Sequence, residues 1–94
     1  MALSSKNRAA LRARAHHLDV MVHVGHQGFT DTVRQTLDDA LRTRELVKIQ
    51  FAKNFEGGRA KHVATDVAAS VGADVVQAIG RTATLYRENP ELRK

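Results

Sequence analysis

A short apolar run, Val20-Met21-Val22-His23-Val24, leads directly into Gly25-His26-Gln27-Gly28 and then into a helical pattern that begins at Thr30. Strand, glycine turn and helix in immediate succession commit this stretch to an α/β arrangement. The two glycines let the backbone reverse without a Cβ clash, and they clear side chains away from the main-chain amides. Where such a turn feeds a helix, free N–H groups and the positive helix end point at one place. Two readings stay open on these four residues. They form a tight turn and nothing more, or they seat a phosphate.

The rest of the chain repeats the alternation. Ser4 or Ser5 can cap a first helix that runs to about His16, with Leu11, Ala15 and Leu18 as a narrow apolar stripe. Lys6, Arg8 and Arg12 are read as lying off that stripe, and His16 as a buried or half-buried hydrogen-bonding residue at the helix end. Thr30 is the expected cap of the second helix, with Asp31 in its first turn. Val33, Leu37, Ala40 and Leu41 face inward there, and Arg34, Asp38 and Arg42 form a solvated ladder outside. Leu46 to Phe51 alternates as a second strand, with Val47, Ile49 and Phe51 on one face. After a loop from Lys53 to Gly58, a third helix turns Ala60, Val63, Ala64, Val67, Ala68 and Val71 inward and stops at Gly72. Asp74–Ile79 and Thr82–Arg87 are strands joined by a tight Gly80-Arg81 turn.

The expected architecture is α/β: one compact domain, ordered α-β-α-β-α-β-β, with a four-stranded mixed sheet and helices packed on it. It spans 1–88, with 89–94 as a flexible tail. Strands separated by helices are expected to run parallel. The loops after the first two strands and the turn after the third then share one sheet edge. That edge gathers Gly25 to Gly28, Lys53, Asn54, Arg59, Lys61 and Arg81, where α/β sheets commonly bind ligands.

Charge gives that edge a partner. Fifteen Lys and Arg against ten Asp and Glu leave a formal charge of +5, and the isoelectric point is near 10.2. Such a balance favours polyanions. Lys6, Arg8, Arg12 and Arg14 all precede the first acidic residue, Asp19, so the N-terminal segment is basic without interruption. With 94 residues and only Phe29, Phe51, Phe55 and Tyr86 as aromatics, the core is aliphatic and no stacking platform forms. Binding is therefore expected to rest on phosphate and shape, and one class of RNA-binding domain clamps backbone with a GXXG loop.

Other chemistries find less support. Cysteine is absent, which excludes disulfides and thiol catalysis. His16, His17, His23 and His26 fall close together but lack the regular spacing and completing ligands of a zinc site. No nucleophile motif, P-loop or facing carboxylate pair is present, so neither enzyme activity, metal, cofactor nor small-molecule substrate is expected. Met1 to Ser5 lacks the apolar stretch of a secretory signal, and no apolar run reaches membrane-spanning length. A cytoplasmic location is the expectation.

Taken in order, these segments resemble the CRM domain, in particular its small stand-alone bacterial YhbY-like members. The resemblance is carried by Leu11 with Ala15-His16 and Leu18, by Val24-Gly25-His26-Gln27-Gly28-Phe29-Thr30, and by Ala40-Leu41. Glu45-Leu46-Val47-Lys48-Ile49, Gln77-Ala78-Ile79-Gly80-Arg81 and Leu85-Tyr86-Arg87 complete it. It implies a fold similar to the C-terminal domain of translation initiation factor three. It also implies RNA as the partner, specifically rRNA in precursors of the large ribosomal subunit. The contacts it implies are Gly25, His26, Gln27 and Gly28 with the nearby basic residues Lys6, Arg8, Arg12, Arg59, Lys61 and Arg81. Arg44 stands where the family often has histidine, and His26-Gln27 lacks the lysine or arginine often found in the loop. A general binder of DNA or mRNA, and a protein-docking module of the translation machinery, are the competing readings.

Overall fold

Residues 5–25, 28–53 and 60–89 are described by a computed structural model, Ala60 by its backbone alone. Ser4, His26, Gln27, Asn54, Gly57, Gly58, Arg59 and 90–94 lie outside the described residues. The elements follow the order read from the sequence: α1 (Ser5–Ala15), β1 (Val22–Val24), α2 (Asp31–Arg44), β2 (Leu46–Phe51), α3 (Ala60–Ser70), β3 (Asp74–Ile79) and β4 (Thr82–Tyr86). β1 is shorter than the apolar run suggests, because Val20 and Met21 have no strand partner beyond one bond from the Met21 N–H to the Lys48 carbonyl, 2.9 Å.

The sheet runs β1-β2-β4-β3. β1 pairs parallel with β2, and β4 lies antiparallel between β2 and β3. Alternation along β2 then divides the molecule. Val47, Ile49 and Phe51 join Val22, Val24, Ala83 and Leu85 against α2 and α3, through Leu37, Leu41, Ala64, Val67, Ala68 and Val71. Leu46 points the other way and packs with Leu11 and Val76, edged by Leu18 and Tyr86. So α2 and α3 cover one face fully, while α1 covers only part of the other. Small residues on α3 let that helix sit close to the strands.

Local chemistry sets the element ends. Thr30 has extended backbone angles, and its hydroxyl accepts the Val33 N–H at 3.2 Å. We expect Thr30→Ala to cost about 1 kcal/mol, read as a lower urea midpoint with unchanged slope. Gly72, at φ 67°, closes α3 with the Gly72 N–H on Ala69 O and the Ala73 N–H on Ala68 O, the paired bonds of a Schellman end. Gly80, at φ 58°, opens the two-residue hairpin between β3 and β4, as a type II′ turn requires.

Four expectations need correction. His16 is exposed, since α1 ends at Ala15 and the apolar stripe passes it by. Arg8 is half-buried with its Nε shielded from solvent. It lies three residues before Leu11, on the side of α1 that faces the sheet. The α2 ladder is not plain solvated surface either. Arg34 approaches Asp31 at 4.0 Å, and Asp38 is shared by Arg42 at 2.8 Å and by Arg87 at 2.7 Å. Arg87 also donates to the Asp38 carbonyl and to Val71 O. Asn89, grouped with the tail by sequence, donates to Glu45 Oε2 and to Arg42 O. These bonds tie the middle and the last turn of α2, and the residue just past α3, to the end of β4.

Candidate functional site

Because β4 is antiparallel to both β2 and β3, strands β1, β2 and β3 all point the same way. Their carboxyl ends therefore meet on one edge, as the sequence implied. Two backbone bonds draw that edge together: the Ala52 N–H to Val24 O at 2.8 Å and the Phe51 N–H to Arg81 O at 2.7 Å. Between them lies an open depression of about 270 Å³, lined in part by His23, Gly25, Gln50, Lys53 and Arg81. Lys53 and Arg81 are exposed, and neither forms an ion pair with a described residue. An incoming anion would thus meet two uncommitted cations.

The glycine turn is ordered differently from a simple row of free amides. The Gly28 N–H donates to Gly25 O at 2.9 Å, and Gly28 sits at φ 85°. That positive angle is why glycine is needed there. It also means the Gly28 amide is already occupied. At the α2 end, Thr30 takes the Val33 amide, and the fully exposed Asp31 carboxylate already offsets part of the positive helix end. Among the described residues lining the depression, Lys53 and Arg81 carry the positive charge.

The structure sorts the remaining candidates. Gly25 and Arg81 share the depression. Lys61 sits in the first turn of α3, beside a separate hollow of about 260 Å³ with His62, Thr65 and Asp66. Lys6 and Arg12 are exposed on α1, whose apolar contacts are to Leu46, Val76 and Tyr86 at the other end of the strands or midway along them. The candidates thus divide into a strand-end group and a helix group. His26, Gln27 and Arg59 lie outside the described residues.

His23 and Gln50 are additions. Alternation alone puts each on the strand face opposite the core, between Val22 and Val24 and between Ile49 and Phe51. Their direct pairing depends on the parallel register, which no local pattern reveals. Because both face the α1 side, the depression opens toward that side of the sheet.

Fold and edge define a class: a small mixed-sheet α/β domain with a glycine turn and a cationic strand-end edge. The chain belongs to the CRS1/YhbY (CRM) domain family, which it matches over residues 3–87. It is 35% identical over 89 residues to Probable RNA-binding protein YqeI of Bacillus subtilis, covering 95% of this chain and 92% of that one. It is 32% identical to Probable RNA-binding protein PA4753 of Pseudomonas aeruginosa, covering 100% of this chain and 89% of the other. The solution structure of the hypothetical protein SAV1595 from Staphylococcus aureus superposes with a TM-score of 0.80 at 30% identity, over 94% and 91% of the two chains. No helix among the described residues is long and apolar enough to cross a membrane.

Proposed function

We propose that this protein binds RNA through the strand-end edge, and that its RNA is rRNA in a precursor of the large ribosomal subunit. It acts as an assembly factor, without catalysis. The observation that carries the reading is the depression beside the glycine turn, where Lys53 and Arg81 have no counter-charge among the described residues. Family membership and the RNA-binding names of the relatives supply the nature of the polyanion. In this reading Lys53 and Arg81 attract the backbone, and the Gly25–Gly28 turn lets it approach without side-chain obstruction. The basic residues of α1 extend the attraction across one face.

Sucrose-gradient fractionation of native lysate tests the choice of RNA. The protein should sediment with large-subunit particles, and a His26→Asp, Gln27→Asp variant should leave those fractions while remaining folded. Wild-type protein found only at the top of the gradient, in low and moderate salt alike, would remove ribosome assembly from the reading.

A further inference from the structure

We propose a second phosphate-binding groove at the opposite end of the sheet, formed by Arg14, His17 and Arg44 over a floor of Leu18 and Leu46. The proposal rests on the RNA-binding reading above and extends it. These five residues line an open groove of about 410 Å³. It lies where α1 and α2 both end and β2 begins. β2 has six residues, so at ~3.3 Å per residue the groove and Lys53 stand about 20 Å apart.

The case is one of missing counter-charge. Every other described arginine of α2 has an aspartate: Arg34 has Asp31, and Arg42 has Asp38 and Asp39. Arg44 and Arg14 have no such partner among the described residues. The carboxylate next to Arg44 in sequence is Glu45, whose Oε2 accepts the Asn89 N–H at 2.7 Å. Glu45 adopts φ 61° as the α2 cap. Asp19 follows Leu18 but is exposed and pairs with neither arginine.

A cation near a helix carboxyl end does offset the helix dipole, but the last turns of α1 and α2 each hold two, Arg12 with Arg14 and Arg42 with Arg44. The second of each pair faces one groove with a histidine and exceeds that need. Planar guanidinium groups bind phosphate oxygens in pairs, and the groove is open enough for a backbone phosphate to enter from outside. One RNA would then run from the glycine edge over the α1 side of the sheet to this groove, touching the protein at both ends.

The test is an Arg14→Gln, Arg44→Gln variant titrated with two RNAs: a trinucleotide too short to reach both ends, and a long structured RNA. The long RNA should bind about tenfold more weakly, with a salt slope flatter by about one to two. Trinucleotide affinity and thermal midpoint should not change. Unchanged affinity for the long RNA, or equal loss on both RNAs, would overturn the groove. So would loss of inorganic phosphate binding while long-RNA affinity holds, since the occupant would then be a small free anion. Wild-type protein that binds neither RNA would overturn the functional reading itself, an outcome distinct from a variant that matches a binding wild type.

Discussion

Arg87→Met should destabilise the fold by about 2–3 kcal/mol, the largest loss expected from any single polar side chain here. An exposed ion pair would contribute only ~0–1 kcal/mol. Arg87 differs because its side chain is only 22% exposed and reaches acceptors on α2 and just past α3. It donates to Asp38 Oδ1 at 2.7 Å, to the Asp38 carbonyl at 3.0 Å and to Val71 O at 2.9 Å. Removing it takes one of two arginine partners from the Asp38 carboxylate and leaves the Val71 carbonyl, just past α3, without its guanidinium donor. Arg42→Met is the control. Arg42 is 63% exposed, and its loss should cost about 0.5 kcal/mol or less. Urea denaturation of the three proteins reads the difference directly.

Acid should reproduce part of that effect. The Arg87 hydrogen bond is the largest influence on Asp38 and holds its carboxyl below the ordinary value of 3.8. Partial burial works in the opposite direction, and the charges of Arg87 and Arg42 add to the lowering. The unfolded chain therefore takes up this proton more readily than the folded one. The stabilisation is complete above pH 3.8 and is lost as pH falls below it through the lowered value. Wild type and Arg87→Met should therefore converge in stability in acid, with wild type losing more. A gap that stays constant down to pH 2 would mean Asp38 is not the group involved.

The second large effect concerns binding. Lys53→Glu with Arg81→Glu should weaken RNA affinity by about ten- to a hundredfold, the size of one or two charge-assisted hydrogen bonds at ~1.5 kcal/mol each. Both side chains are exposed and unpaired within the described residues, so the fold should survive. Only backbone atoms near them hold the sheet edge, through the Phe51 N–H to Arg81 O bond. A normal thermal midpoint beside weakened binding separates a contact from a folding defect.

Which of these features the sequence disclosed follows from how local their causes are. Leu46–Phe51 and the Thr30 cap were legible because alternation and capping act within a few residues. The common strand-end edge was legible too, since helical crossovers imply parallel strands. The Arg87–Asp38 clasp was not, because its partners are 49 positions apart and an aspartate spaced four residues from an arginine on either side reads as helix surface. Arg8 was misread because a stripe defined by Leu11, Ala15 and Leu18 leaves its first turn unconstrained. The occupied Gly28 amide was equally hidden. Two glycines announce a turn, but the bond that closes it belongs to the folded backbone.

The most direct measurement is the salt dependence of RNA affinity for wild type and for the Lys53→Glu, Arg81→Glu variant. If the strand-end edge neutralises backbone phosphates, log affinity should fall steeply and linearly with log salt in the wild type. In the variant the slope should be shallower by about two, one unit for each lost phosphate contact. Identical slopes and affinities would contradict the account, since RNA would then be held by some other surface.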